Sequence, residues 1–167
     1  QQGVTAAVLF HVAWGQVVAQ CSGRDDVVFG TVLSGRLQGA EGADRVLGMF
    51  INSLPVRIRL AGCSVREAVG DTYRRLSGLL VHEQASLALA QRCSGVPASM
   101  PLFTSLLNYR HATFVAREGD LAAADTAWAG MRVVASEERT NYPLTMSVDD
   151  LGQGFTLTAQ CHPDIDP

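Results

Sequence analysis

Leu47-Gly48-Met49-Phe50-Ile51-Asn52-Ser53-Leu54-Pro55-Val56-Arg57-Ile58-Arg59-Leu60 is the stretch that decides the architecture. In its second half Leu54, Val56, Ile58 and Leu60 alternate with Pro55, Arg57 and Arg59. That is the period of a strand with one buried face. Pro55 has no N–H to give a ladder, so it belongs near the strand's start or on a sheet edge. The first half sets Leu47, Met49, Phe50 and Ile51 around a glycine and ends in Asn52-Ser53, a compact entry into the strand.

Working outward, residues 3 to 20 read as a helix. Val4, Ala7, Val8, Leu9, Phe10, Val12, Trp14, Val17 and Val18 put apolar groups all round it, the pattern of a helix buried on most sides. Gly23 supplies its stop. Val27 to Leu33 is apolar on both faces, as in an interior strand. Ser34-Gly35-Arg36 ends it, and a loop with Gly39 and Gly42 leads to the anchor. Beyond the anchor, Ser64-Val65-Arg66-Glu67 is a capping box. Val65, Ala68, Val69, Tyr73, Leu76, Leu79 and Leu80 then form the stripe of an amphipathic helix running to about His82. Ser86 to Gln91 reads as a continuation or a separate turn.

After a loop from Cys93 to Pro101, Leu102 to Arg110 is strand-like. Residues 116 to 130 lack periodicity and read as an excursion, followed by a short strand from Met131 to Ala135. The chain closes on a hairpin. Leu144, Met146 and Val148 alternate with Thr145, Ser147 and Asp149; Phe155, Leu157, Ala159 and Cys161 alternate with Thr156, Thr158 and Gln160; Asp150 to Gly154 turns between them. Leu144 is expected to be buried. Crossover and hairpin strands mixed with helices predict an α/β fold, a mixed sheet with helices packed on it.

The chain of 167 residues is 47% hydrophobic and 17% charged, which suits one domain with a real core. Its net charge of −3 and scattered basic residues give no nucleic-acid footprint. No apolar run reaches membrane-spanning length. Cys21, Cys63, Cys93 and Cys161 are widely spaced and read as free thiols in a reducing cytoplasm. A start at Gln1 without methionine and an end at Asp166-Pro167 read as a piece of a longer protein.

No complete catalytic constellation is visible. His82-Glu83 fails as a zinc-hydrolase motif, because Ser86 stands where its second histidine would be. Gln91-Arg92-Cys93-Ser94-Gly95 echoes a caspase pentapeptide with the wrong second residue and no histidine upstream at the required distance. There is no Gly-x-Ser-x-Gly elbow and no phosphate loop, and Gly152-Gln153-Gly154 is a hairpin turn. No metal ligands are assigned. His11 reads as a packing residue within its helix, His82 as a helix-end residue facing the C-terminal dipole, and His162, near Asp164 and Asp166, as solvated. His111, following Asn108-Tyr109-Arg110, is the histidine kept as a site candidate. Asp25-Asp26, Glu137-Glu138 and Asp149-Asp150 read as solvated turns.

Gly48-Met49-Phe50-Ile51-Asn52-Ser53-Leu54 with Arg57 after it resembles a motif of the condensation domains of nonribosomal peptide synthetases, departing by Ile for Val and Ser for Thr. Gly23 to Gly30 followed by Ser34-Gly35-Arg36 is similar to the family's preceding strand. His82-Glu83-Gln84-Ala85-Ser86-Leu87 occupies the place of a less regular motif. Leu102-Phe103 to Asn108-Tyr109-Arg110-His111 resembles the strand of many bacterial members, and Arg139-Thr140-Asn141-Tyr142-Pro143-Leu144 the last motif.

The resemblance implies a chloramphenicol-acetyltransferase-like fold of two lobes. The catalytic His-His signature belongs to the first lobe, and no His-His pair occurs here. Residues 1–167 are therefore expected to be the C-terminal lobe, without the N-terminal lobe and the final helix, and inactive alone. In the intact domain a carrier-bound aminoacyl amine attacks a carrier-bound thioester to form a peptide bond, with the second histidine of the absent motif acting as base or positioning the amine. No cofactor is expected to bind directly; phosphopantetheine arms of carrier proteins deliver the substrates. The implied partners are the N-terminal lobe, donor and acceptor peptidyl carrier proteins and an adjacent adenylation domain, with no nucleic acid and no membrane.

Arg36, Asn108, Arg110 and His111 are the expected substrate-tunnel residues, since they follow or end strands at a cleft. No catalytic residue is assigned. Epimerisation domains share the fold but resemble Asn-Tyr-Leu-Gly-Gln where this chain has Asn108-Tyr109-Arg110-His111, which favours condensation. A noncatalytic carrier-protein interaction module of the same fold is the rival from another class.

Overall fold

The computed structural model describes residues 3–36, 47–111, 130, 134 and 139–165. The expected Gly39–Gly42 loop, nearly all of the 116–130 excursion and the Met131–Ala135 strand (Val134 aside) lie outside those residues. Among the described residues the elements follow in the order α1 (Ala6–Ser22), β1 (Asp26–Leu33), β2 (Asn52–Arg59), α2 (Val65–Leu80), α3 (Leu87–Ser94), β3 (Ser105–His111), β4 (Leu144–Asp150) and β5 (Phe155–Cys161).

The strands form one mixed sheet in the order β2-β1-β3-β4-β5. β1 is antiparallel to β2, β1, β3 and β4 run parallel, and β5 returns antiparallel to β4. The anchor is thus an edge strand, where Pro55 is tolerated. Its alternation is real: Leu54, Val56 and Ile58 are 2–3% exposed while Arg57 and Arg59 point away. Val56 and Ile58 join Val27, Phe29, Leu107 and Val148 under Trp14 and Ala19 of α1 to make the main core. A smaller cluster, Val8 and Val12 with Ala68 and Val69, fastens α1 to α2 on the same face.

α1 is less enclosed than its composition suggests. Val8, His11, Val12, Trp14, Gly15 and Ala19 are buried, but Leu9 and Val17 are about half exposed. The capping box of α2 forms as expected: Ser64 Oγ accepts from the Glu67 amide, and the Glu67 carboxylate accepts from the Ser64 amide. The stripe is rotated from the expected one, however. Ala68, Val69 and Thr72 are buried and Leu76 and Leu79 half-buried against the core, whereas Val65 and Tyr73 face outward. α1 packs on the Ala68–Val69 side and sets the phase that propensity alone left open. α2 stops at Leu80, and α3 is a separate helix capped by Ser86.

β3 begins at Ser105, three residues later than expected, because Phe103 leaves the strand line to cover Gly30 and stacks on Tyr142 at 5.4 Å. The β4–β5 hairpin forms with its turn at 151–154. Its expected burial needs correction. Leu144 and Met146 are half-buried, and Phe155, Leu157, Ala159 and Cys161 are exposed, while Thr145 and Ser147 on the other face are buried. Among the described residues α1 lies over β1 and β3 and reaches β5 where Phe10 meets Phe155 edge-on at 4.9 Å. Leu144→Ala should therefore cost about 2 kcal/mol, the lower end for a core leucine. A denaturant midpoint equal to that of the parent protein would remove Leu144 from the core.

His11 is a structural histidine. It is 4% exposed, with Nδ1 2.7 Å from the Ala7 carbonyl and Nε2 2.8 Å from Thr31 Oγ1. A carbonyl only accepts, so Nδ1 carries the proton and Nε2 accepts from the Thr31 hydroxyl. Burial pushes its pKa below the ordinary value of 6.5. The folded state then binds fewer protons than the unfolded state, so stability is fully present above pH 6.5 and is lost as pH falls below it. The urea midpoint should drop between about pH 7 and pH 5 more steeply than in His11→Gln, which has no imidazole to titrate. Parallel slopes would disprove the linkage.

Candidate functional site

Because β1, β3 and β4 are parallel, their carboxyl ends share one end of the sheet. Antiparallel β2 and β5 start there, with Asn52 opposite Leu33 and Phe155 opposite Asp150. In open sheets with parallel strands this is the end at which ligands bind. All four candidate tunnel residues lie at or near it, but in separate settings.

The first setting is a joint between three stretches distant in sequence. Gly35 has φ 69°, and a Cβ there would stand 1.8 Å from the Phe50 carbonyl oxygen, so only glycine fits. Arg36 then lies over the Phe50 ring, 4.7 Å from its centroid, and its Nη2 donates to the Gly48 carbonyl at 3.3 Å. Gln84 donates its side-chain amide to the Gly35 carbonyl. The Asn52 amide donates to the carbonyls of Glu83 and Ala85 at 2.8 and 2.7 Å, while its Oδ1 accepts from the Ser53 amide. The turn after α2 is stitched to β2 in this way. Glu83, 1% exposed, is buried within that turn and His82 is exposed. Beside the joint, Leu47, Met49 and Ile51 are 97, 92 and 67% exposed, an apolar strip next to Phe50.

The second setting is the β3–β4 end. Side chains alternate along a strand, so Asn108 and Arg110 take one face while Tyr109 and His111 take the other. Arg110 forms a two-pronged ion pair with Asp149, Nε and Nη2 donating at 2.6 and 3.0 Å. Asn108 is half-buried opposite Ser147. On the helical face, Tyr109 Oη and His111 Nδ1 both donate to Asp150 Oδ2, the latter at 3.0 Å, and the Gly152 amide donates to Asp150 Oδ1 at 2.9 Å. These donors, the Tyr109 hydroxyl foremost, hold the Asp150 carboxyl below its usual range. Burial, reinforced by Asp150, pushes the Tyr109 phenol up to about 12.

Asp149 and Asp150 are therefore not a solvated turn. They are the last residues of β4, and each holds a side chain of β3. Asp26 also departs from the expected turn: it opens β1 and pairs with Arg57 at 2.6 Å. His162, on exposed Asp164 at 3.3 Å, is solvated as expected. The four cysteines are free. Sequence reasoning missed Asn52, Gln84, Asp149 and Asp150 as partners. The pairs Arg110–Asp149 and His111–Asp150 are direct neighbours in the β3–β4 register, so only that register could have disclosed them.

A groove of about 690 Å³ on the face opposite α1, lined by Arg24, Asp26, Pro55 and Arg57 with Ala90 and Ser94 of α3, contains none of the four candidates. Among the described residues no three His, Cys, Asp or Glu side chains gather as metal ligands, and no helix is long and apolar enough to cross a membrane.

Comparison with known proteins gives this geometry a family. The family model for the Condensation domain matches residues 1–163. Malpibaldin synthetase of Mortierella alpina is 49% identical over 99% of the chain, and a linear gramicidin synthase of Brevibacillus parabrevis 34% identical over 86% of it. The chain spans 3% of the length of each. With relatives in a fungus and a bacterium, the Asn-Tyr-Arg-His strand does not by itself fix a bacterial source. The first condensation domain of the calcium-dependent antibiotic synthetase, in complex with substrate analogue 3a, superposes with a TM-score of 0.68 at 20% identity, over 99% of this chain and 35% of that one. The match over nearly the whole chain and relatives up to about half identical place it: the chain belongs to the condensation-domain family of nonribosomal peptide synthetases.

Proposed function

We propose that residues 1–167 form the C-terminal lobe of a cytoplasmic condensation domain, which joins a donor acyl or peptidyl thioester to an acceptor aminoacyl thioester through a peptide bond. The observation that carries this reading is the match to about a third of a solved condensation-domain chain, in a sequence that has no His-His pair. The base or amine-positioning imidazole then belongs to the other lobe, and this chain supplies one wall of the tunnel. General-base assistance needs an imidazole within hydrogen-bond reach of the amine, and His11 is committed to Ala7 and Thr31.

Arg36, Asn108, Arg110 and His111 stand in this arrangement around the end of the sheet that the carrier-borne substrates approach, Asn108 and Arg110 on one face and His111 on the other. The exposed strip Leu47, Met49 and Ile51 is the contact toward the N-terminal lobe, since apolar groups this exposed on a monomer mark an interaction surface. Donor and acceptor carrier proteins and a neighbouring adenylation domain are the working partners. Asn108-Tyr109-Arg110-His111 favours condensation over epimerisation.

The test supplies donor and acceptor carrier proteins, both loaded, and follows dipeptidyl product by mass spectrometry. An intact domain containing this lobe should form product, and residues 1–167 alone should stay at the uncatalysed background. Product from the lobe alone would overturn the division of labour; none from the intact domain would leave a noncatalytic carrier-binding module.

A further inference from the structure

At the β3–β4 end one carboxylate collects three hydrogen bonds, and their arrangement fixes an imidazole. Asp150 is 15% exposed in its side chain, yet the His111 ring that it holds is 59% exposed. Both carboxylate oxygens are engaged: Oδ1 by the Gly152 amide, Oδ2 by the Tyr109 hydroxyl and by His111 Nδ1. A carboxylate with a lowered pKa only accepts, so in the neutral ring Nδ1 carries the proton and Nε2 is left as a hydrogen-bond acceptor. Tyr109 restrains the same oxygen, and Phe10 packs on both Tyr109 and Phe155 at 5.9 and 4.9 Å, an aromatic floor beneath the cluster.

An exposed His–Asp pair contributes little to stability by itself. Here, however, a mostly enclosed carboxylate orients an exposed ring, an arrangement that serves a ligand better than it serves the fold. Supporting carboxylates do the same for working histidines elsewhere by fixing tautomer and ring orientation. The neighbouring charges Arg110 and Asp149 neutralise each other, and strand alternation sends them to the other face. What the ring offers, when Nδ1 alone carries its proton, is therefore a polar acceptor, Nε2, at the ligand end of the sheet.

We propose that His111 Nε2 is a substrate-contact atom that accepts a hydrogen bond from an N–H of a carrier-borne thioester substrate, with Asp150 and Tyr109 as positioning residues. The proposal rests on the reading of the chain as part of a condensation domain. The N–H is either an amide of the phosphopantetheine arm or the amine or amide of the acyl group it carries, and titrating donor and acceptor carriers separately, with the arm loaded or shortened, distinguishes them.

The experiment uses the intact condensation domain and steady-state kinetics with each loaded carrier protein in turn. A single net hydrogen bond corresponds to roughly two- to tenfold in affinity. His111→Phe should raise KM for one of the two carriers by about fivefold with kcat within about twofold. His111→Gln, which keeps an acceptor oxygen, should restore most of that loss. Asp150→Asn should raise the same KM, because a carboxamide can donate to Nδ1 and move the ring proton to Nε2, turning the acceptor into a donor. Nitrogen NMR of the ring should show the proton on Nδ1 in the parent and on Nε2 in Asp150→Asn.

Unchanged KM for both carriers in an active, folded His111→Phe domain overturns the proposal and leaves the condensation reading standing. So does a parent ring protonated on Nε2. A parent domain that makes no dipeptide overturns both.

Discussion

Replacing Gly35 by alanine should destabilise the protein by about 2–5 kcal/mol, the sum of a left-handed backbone penalty of about 1–2 kcal/mol and an overpacking cost of about 1–3. The φ of 69° alone disfavours any side chain, but the space decides the magnitude. The new Cβ would meet the Phe50 carbonyl oxygen at 1.8 Å, a backbone atom that cannot swing aside as a side chain would. Relief requires moving Phe50, which carries Arg36 on its ring. It also displaces the Gly35 carbonyl that Gln84 holds. Gly152 is the control: it has φ 78°, but nothing lies within 4 Å of a Cβ there, so Gly152→Ala carries only the backbone penalty. For a chain of this size the difference should appear as a melting temperature roughly 2–12 °C lower for Gly35→Ala than for Gly152→Ala. Equal melting temperatures would show that the joint gives way without cost.

The joint also shows where sequence reading ended. Each of its stretches is legible alone: the strand after Asn52 by its alternation, Ser34-Gly35-Arg36 as a strand end, and the turn after α2 by the end of that helix's stripe near His82. Those signals are local, and local rules govern them. The bonds that join the stretches are not local. Asn52 reaches 31 and 33 residues along the chain, and Gln84 reaches back 49, in each case to backbone carbonyls, which every residue possesses. A side-chain amide that caps a distant carbonyl leaves no pattern in composition or spacing. The family resemblance covers all three stretches without saying that they touch.

The setting of the site candidates is only partly legible in the sequence for a related reason. Arg110 and His111 do end a strand, but as neighbours in sequence they lie on opposite faces of it. Their partners Asp149 and Asp150 looked like turn residues because the strand they end continues into a real turn at Leu151. Placing them needed the parallel β3–β4 register, a pairing across 39 residues that hydrophobic alternation does not specify. The phase of α2 was lost similarly. Val65 and Tyr73 suit an apolar stripe better than Thr72 does, yet Thr72 is 1% exposed because α1 approaches from that side.

Phe29→Ala should have the largest effect of any single truncation in the core, about 3–5 kcal/mol against a total stability of about 5–15 for a domain. Phe29 is fully buried in the middle of β1, the strand between the anchor and β3. It pairs with Val56 across the ladder, and the His11 ring lies 6.1 Å from its own. Truncation would leave a cavity under α1 bounded by groups that have little room to collapse: Trp14, Val56, Ile58 and Leu107 sit in the same cluster, all 5% exposed or less. The cavity also adjoins the His11–Thr31 hydrogen bond, so truncation would loosen a polar tie between α1 and β1. Leu144 offers the comparison, since it packs against the same cluster but is only half-buried and lies towards the β5 edge. Packing loosens from the sheet's centre towards that edge. Denaturant midpoints should therefore fall in the order parent, Leu144→Ala, Phe29→Ala, with the second step worth about 1–3 kcal/mol. Should Leu144→Ala prove the more damaging, the β4–β5 edge must be packed more tightly than the described residues show, and the centre of the core would have to be moved towards it.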